Sequence, residues 1–271
     1  MKKYFALSLI VLMLFVSAAS AEILVGRHSM LNSTEQELLK ATQESLGVNF
    51  YVGLDESSIA LKYYDSLALL HLALDRGEIE VMSVPLCVGQ FILNNNNNYV
   101  LKGLDWWLLS SACTFNCAFL EKNAQLRDRF NEALKGMKNS GMLALIENKY
   151  ITELDVNNIT PVEFEKFDDA ETITVAVTGD MPPIDYVAAD GTPAGYNTAV
   201  LSEIGRRLHI NIKLLDIDTG ARVSALTSGR ADVVFWFQSS VDNKFKADVP
   251  AGIILSEPYY KWNEQYFIGK K

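Results

Sequence analysis

The stretch that decides the fold is residues 173–237, which opens with the strand sequence ITVAV at 173–177. That run is rich in β-branched residues, and Leu201, Ile204 and Leu208 then define one face of a helix. A second strand is predicted at residues 210–215, a short helix at 223–227 and a third strand at 232–237. Strands that alternate with helices favour parallel pairing through right-handed crossovers. The sequence therefore predicts an α/β fold with mixed, mostly parallel sheets and flanking helices.

The block before this stretch repeats part of the same pattern. The sequence LDRGEIEV at 74–81 matches LTSGRADV at 226–233 as L-x-x-G-x-x-acid-V. In each copy a helix is predicted to end at a Gly suited to a left-handed cap, and an acidic residue opens a buried strand. Two units of one construction explain the match most simply. The alternative is that such junctions look alike in any α/β protein.

Other elements of the first block follow from the same rules. Ser33 and Thr34, followed by three Glu or Gln residues, predict a capped helix start, and Ser140-Gly141 predicts a break between two helices. Further predictions are a strand at 23–25, a helix at 67–75, a strand at 79–84, a helix around 126–137 and another ending at Tyr150. The polar residues 152–170 are typical of a linker.

The first residues carry a targeting pattern. Lys2 and Lys3 precede an apolar run at 4–16, and small residues follow at 19–21. About 13 apolar residues are too few for a membrane span, which needs roughly 20, so we expect a secretory signal peptide cleaved near Ala21 and a protein exported to the periplasm. Because the residue directly after the predicted cleavage site is not a Cys that could carry a lipid anchor, we expect a free protein without direct membrane insertion.

Charge and cysteine content exclude several classes of function. The chain has 24 basic and 33 acidic side chains, a net charge of -9, and loss of the two N-terminal lysines makes it -11. Nucleic-acid and anionic-membrane partners are therefore not expected. Three cysteines, Cys87, Cys113 and Cys117, allow at most one internal disulfide. If residues 113–117 form a strand, the Cα atoms of Cys113 and Cys117 lie about 13 Å apart, too far for a bridge between them. Their spacing and the isolated histidines do not favour zinc, and no cofactor is predicted.

The second block resembles the extracellular solute-binding proteins of family 3, the polar amino acid type that serves ABC importers. The matching segments are ITVAV at 173–177, GDMPPIDY at 179–186, AGYN at 194–197, the motif at 225–234 and SEPYY at 256–260. This resemblance implies the type 2 periplasmic binding protein fold, in which two lobes enclose a ligand cleft.

The first block is similar to the rest of that family, but its position in the chain is reversed. Residues 22–112 resemble the second lobe, 113–151 the crossover strand and closing helices that pack on the other lobe, and 171–271 the first lobe, with the linker at 152–170. In the family the block that begins near residue 173 comes first. The order predicts a circular permutation, and the alternative is a fragment of two tandem binding proteins.

The resemblance implies a monomer that captures a small polar solute, an amino acid or related metabolite, and delivers it to an ABC transporter permease. No catalytic motif is present, so we expect no enzyme activity. Two alternatives are a ligand-sensing or degenerate non-transport binding protein, and a dehydratase on the same scaffold.

Candidate ligand contacts lie on both predicted lobes. They are Asp180, Met181, Tyr186, Trp236, Gln238, Ser239 and Lys244 on one lobe, with Ser33 and Thr34 on the other. The family has an Arg that binds the ligand carboxylate, and Lys244 is the cation nearest to the position where the resemblance places it. Pro85 lies near the position where the family has an acid that binds the ligand ammonium group. Asp180 could instead shape a turn, and Ser33 and Thr34 could only cap a helix.

Overall fold

The computed structural model describes residues 23–28, 59–102, 113–154, 160–188, 191–240, 249–262 and 265–271, which form two lobes around two main sheets. The first sheet has the strand order β2-β1-β3-β14-β4. Its strands are β1 (Ile23–His28), β2 (Ile59–Tyr64), β3 (Val81–Pro85), β4 (Tyr99–Leu101) and β14 (Gln265–Lys270). Helices α1 (Leu67–Arg76) and α2 (Leu86–Asn95) pack on it.

The second sheet has the order β10-β6-β11-β5-β12, and β13 also pairs with β5. Its strands are β5 (Cys113–Leu120), β6 (Thr172–Val177), β10 (Asn211–Asp216), β11 (Val233–Ser240), β12 (Ile253–Leu255) and β13 (Tyr260–Trp262). Its helices are α3 (Ala124–Asn139), α4 (Met142–Glu147), α5 (Tyr196–Leu208) and α6 (Arg222–Thr227). A small antiparallel sheet of β7 (Asp180–Met181), β8 (Asp185–Val187) and β9 (Pro193–Ala194) lies beside them. The predicted class, mixed α/β with flanking helices, is confirmed.

Both main sheets are built in the same way. Three parallel strands stand in the order second, first, third along the chain, as β2-β1-β3 and as β10-β6-β11. The next strand in each sheet is antiparallel and comes from the other block of the chain. β14 pairs with β3, and β5 pairs with β11. Each sheet is therefore completed by a strand from the opposite block.

The repeated motif has one backbone geometry in both lobes. Gly77 and Gly229 have φ values of 72° and 76°, the left-handed region that favours glycine. The amide of Glu80 then donates to the Leu24 carbonyl at 2.9 Å, and that of Asp232 donates to the Thr174 carbonyl at 2.8 Å. The motif thus joins a helix to the third parallel strand in each sheet, as the sequence predicted.

The other predicted helices and strands are confirmed within the described residues, except that the helix predicted to end at Tyr150 ends at Glu147 and a π-helix follows at Asn148–Thr152. The break at Ser140-Gly141 separates α3 from α4, and Gly141 has a φ of 75°. Helix α3 buries Phe130, Leu134 and Met137 at the predicted spacing. The predicted signal peptide and the predicted helix start at Ser33 and Thr34 lie outside the described residues and stay predictions.

Two further features concern the cysteines and the length of the helices. Cys87 and Cys117 are buried free thiols. No helix in the described parts of the chain is both long and apolar enough to cross a membrane.

Candidate functional site

The two lobes touch where parallel strands end. The Leu67 amide at the start of α1 donates to Asp180 Oδ2 at 2.8 Å. In addition, Cys87 Sγ lies 3.9 Å from the Tyr260 hydroxyl, and the rings of Phe91 and Tyr186 are 6.2 Å apart. Leu67, Cys87 and Asp180 follow the carboxyl ends of β2, β3 and β6, which is where α/β sheets bind ligands. This lobe boundary is therefore the candidate site.

Arg222 is buried beneath the boundary, with no exposed surface. Its Nη1 donates to the carbonyls of Trp236 at 2.8 Å and Phe235 at 3.3 Å, and its Nε to the Thr219 carbonyl at 3.4 Å. Burial lowers the pKa of the guanidinium to about 10, and the negative charge of Asp185 opposes this change. At neutral pH Arg222 is therefore a buried cation.

Asp185 supplies the balancing negative charge and is only 2% exposed. Its Oδ2 accepts from the amide and the hydroxyl of Thr178, each at 3.2 Å. Burial raises the pKa of its carboxyl group, and these donors together with Arg222 lower it. Opposite buried charges therefore stand near each other, Asp185 bound to the turn after β6 and Arg222 at the start of α6.

Trp236 has an unusual backbone in the middle of β11. Its φ is 62°, and the register of β11 against β5 shifts between Val234 and Phe237. The indole ring is 1% exposed and stacks on Phe115, with centroids 3.6 Å apart and planes at 9°. Because left-handed φ is costly for a bulky residue, the bonds from Arg222 to the adjoining carbonyls help to hold this conformation.

His28 ends β1 on the other side of the boundary and is 8% exposed. Both of its ring nitrogens are buried without a hydrogen-bond partner among the described residues, as are Thr219 Oγ1 and Asp180 Oδ1. Burial and the positive charge of Arg222 lower the pKa of His28 to about 3, so the ring is neutral at physiological pH. Buried polar atoms normally have a partner, so these three groups mark where a solute or water would bind.

Asp180 is the acidic residue that bonds to the other lobe. Burial raises the pKa of its carboxyl group to about 6, and the negative charges of Asp185 and Asp216 add to the increase. The bond from the Leu67 amide acts in the opposite direction. The carboxylate therefore titrates unusually close to neutral pH.

The predicted site residues fall into three groups. Asp180 and Tyr186 are opposite each other in the β7–β8 pair at the lobe boundary, whereas the neighbouring Met181 is buried in the main core. Trp236 is joined to this group through Arg222. Gln238 and Ser239 pair through their backbones with β5, and their side chains are not described. Lys244, Ser33 and Thr34 lie outside the described residues. All nine remain predictions as ligand contacts.

The sequence analysis missed Arg222, Asp185, His28 and Thr219. One signal was available, because Arg222 shares the buried face of α6 with Ala225 and Leu226 at spacings of three and four residues. An Arg at a core position of a helix indicates a buried charge that needs a partner. His28 had a weaker signal, its place at the end of a parallel strand.

Among the described residues, no three His, Cys, Asp or Glu side chains are grouped so that they could hold a metal ion. A cavity of about 370 Å³ is lined by residues of α3 and α4 with Glu257 and Pro258. Because all of these belong to the second lobe, this cavity does not lie at the boundary.

Comparison with known families supports the sequence interpretation. Residues 173–270 match the family model described as bacterial extracellular solute-binding proteins, family 3. The matched segment holds Asp180, Asp185, Arg222 and Trp236, whereas His28 precedes it. The resemblance predicted from the sequence is confirmed for this segment.

Three solved structures are similar to the chain at low identity. The ligand-binding component of an ABC-type import system from Staphylococcus aureus, with zinc bound, is 10% identical with a TM-score of 0.44, over 92% of this chain and 66% of that one. The GluR0 ligand-binding core from Nostoc punctiforme, in complex with L-glutamate, is 13% identical with a TM-score of 0.37, over 92% and 85%. An ancestral arginine-binding protein bound to arginine is 13% identical with a TM-score of 0.40, over 93% and 86%. The chain spans about two thirds of the length of the Staphylococcus protein.

Replacing Arg222 with Met tests the buried cation. The variant leaves three carbonyls without their donor and the buried Asp185 carboxylate without a neighbouring positive charge, so we expect the free energy of unfolding to fall by about 3–5 kcal/mol in chemical denaturation. Arg206→Met is the matched control, because Arg206 is exposed and pairs with Glu203 on the surface, where a loss below about 1 kcal/mol is expected. Equal small losses in both variants would contradict the role of Arg222.

Asp180 should make the free energy of unfolding depend on pH. Its pKa is raised from the ordinary 3.8 to about 6, so the folded state holds the proton more tightly than the unfolded chain. The resulting stabilisation is fully present below about pH 4 and is lost as the pH rises through about 6. We expect Asp180→Asn to lack this component, so its unfolding free energy should rise relative to wild type across that window. A difference that is independent of pH would refute the assignment. Asp185 and Asp216 are present in both proteins and provide the common background.

Proposed function

We propose that this protein is an exported solute-binding protein that encloses a small polar solute between its two lobes and delivers it to an ABC importer. The observation that carries the proposal is the set of buried polar atoms without partners at the lobe boundary. They come from both lobes, with His28 on the first and Thr219 and Asp180 on the second. The family 3 match over residues 173–270 supports the same function.

The chemistry of these atoms points to a small solute with both donors and acceptors, such as an amino acid or a related metabolite. A neutral His28 offers one donor and one acceptor, the Thr219 hydroxyl can do either, and Asp180 Oδ1 accepts. The Asp180 carboxylate suits an ammonium group or a hydroxyl. Such groups fix the orientation of a ligand in a pocket that is otherwise mostly apolar.

Trp236 favours a second candidate, a ligand-sensing or degenerate binding protein without a transport role. Its indole packs against Phe115, and the Tyr260 ring lies 5.8 Å away. A large ring at this position, beside the carbonyls that Arg222 binds, would leave less room for a solute. If no solute fits, the lobes could still serve to bind another protein.

The location and the partners follow from the same proposal. The family is described as extracellular, which supports export through a signal peptide cleaved near Ala21 and a mature protein in the periplasm. Its partner there would be the permease of an ABC transporter, which the protein would meet as a monomer.

The order of segments is best explained by circular permutation. Each sheet draws its parallel strands from one block and one antiparallel strand from the other, so each family segment is used once. A fragment of two tandem proteins would not need this exchange of β5 and β14. The proposed join is the linker at residues 152–170.

A panel of amino acids, amines and small carboxylates, tested by thermal melting of the mature protein, checks the function. A solute at 100 times its dissociation constant should stabilise the protein by about 2.7 kcal/mol. We expect the stabilisation to shrink in His28→Ala and Thr219→Val, because each removes a polar contact, and to persist in Arg206→Met. If no compound stabilises the wild type, transport is contradicted and the second candidate is favoured.

A reordered chain tests the permutation. Residues 160–271 are placed before residues 22–154 and joined by flexible Gly/Ser linkers of two lengths, because a short linker alone could strain the join. We expect at least one of them to unfold cooperatively with the circular dichroism spectrum of the natural order. Failure of both to fold, while the natural order folds under the same conditions, would count against the permutation.

A further inference from the structure

We propose that Asp180 is a positioning residue for lobe closure: its carboxylate binds the N-terminus of α1 across the boundary and favours the closed arrangement before any solute enters. This extends the proposed function, which treats Asp180 only as a solute contact. The inference depends on one contact between the lobes and on how firmly each side of it is held.

The donor belongs to a helix end that needs an acceptor. The first amides of a helix have no partner within it. Ser66 caps α1 and accepts from the Leu69 amide at 3.1 Å, which leaves the Leu67 amide to Asp180 Oδ2 at 2.8 Å. A carboxylate at this position also interacts favourably with the positive end of the helix dipole. The second lobe thus supplies part of the cap of a helix in the first.

Both partners stand on fixed supports. Asp180 pairs with Tyr186, and the adjacent Met181 is buried and pairs with Asp185. The Ile184 amide donates to the Met181 carbonyl at 2.8 Å and closes the turn between β7 and β8. On the other side the Leu67 side chain is buried. Neither atom can follow the other if the lobes separate, so the bond can form only when they are together.

The charges around Asp180 strengthen the case for closure. Asp185 and Asp216 face it with negative charge, and Arg222 is the cation that interacts with it from beneath. On the side of α1, Asp65 lies just before the cap, and His71 and Asp75 lie one and two turns further along the helix. A carboxylate near other acids gains from a helix N-terminus, and α1 reaches it only when the lobes meet.

The two carboxylate oxygens then have different tasks. Oδ2 is used by the contact between the lobes, whereas Oδ1 is buried without a partner among the described residues. A solute that binds Oδ1 would therefore bind a group already held by both lobes. This links solute capture to closure through one side chain.

The test measures closure without solute, so its outcome is independent of whether a transported solute is found. Small-angle X-ray scattering at about pH 7.5 gives the radius of gyration of the mature protein and of three variants. Asp180→Ala removes the acceptor, Asp180→Asn keeps one, and Asp232→Ala is the matched control. Asp232 Oδ2 accepts from the Thr174 amide at the same 2.8 Å, but within one lobe.

We expect the ratio of closed to open molecules to fall about tenfold in Asp180→Ala, a typical effect of losing a hydrogen bond to a charged group. Its radius of gyration should rise, that of Asp180→Asn should rise less because the variant keeps an acceptor but loses the charge, and that of Asp232→Ala should stay close to wild type. A radius equal to that of wild type in Asp180→Ala, or equal expansion in Asp232→Ala, would overturn the proposal.

A variant of the donor keeps the proposal testable if Asp180→Ala does not fold. Leu67→Pro removes the amide hydrogen at the first position of α1, where proline suits a helix. We expect it to open the protein as Asp180→Ala does, and the double variant to open it no further than either single one. Additive expansion in the double variant, or no expansion in Leu67→Pro, would contradict the contact.

Discussion

The lobe boundary depends on a guanidinium group that has no contact with solvent. Arg222 binds the carbonyls that flank the left-handed turn at Trp236 and balances the charge of Asp185, and its positive charge adds to the burial that lowers the pKa of His28. A buried ion pair is weak evidence for stability, since desolvation offsets most of its attraction. The value of Arg222 here is geometric, because one side chain holds the middle of β11 against the start of α6.

A second constraint is the exchange of strands between lobes. The chain passes from one sheet to the other between β4 and β5, and again between β13 and β14. Each crossing ends in a strand that pairs beside the third parallel strand of the new sheet. Neither sheet is complete without the other block, and among the described strands these two connections lead from one sheet to the other. Such paired connections suit hinge closure around a ligand.

Much of the fold could be predicted from local pattern. The β-branched run at β6, the spacing of Leu201 and Ile204 in α5, and the glycines at 77 and 229 each specify their structure over a few residues. The site was harder to predict because its geometry depends on distant partners. Alternation along β11 could not reveal that the register shifts at Trp236, and the burial of Arg222 is tolerable only because Asp185 lies beside it. Asp180 was recognised as a candidate, but its bond to Leu67 joins segments that no local pattern connects.

The central claim is that a small polar solute binds the buried groups of the lobe boundary. Native mass spectrometry of the protein, purified gently after export, measures this directly. We expect a population heavier by one small molecule, which is lost when His28 and Thr219 are replaced together by Ala and Val. A single mass that corresponds to the polypeptide alone, before and after incubation with the solute panel, would contradict it.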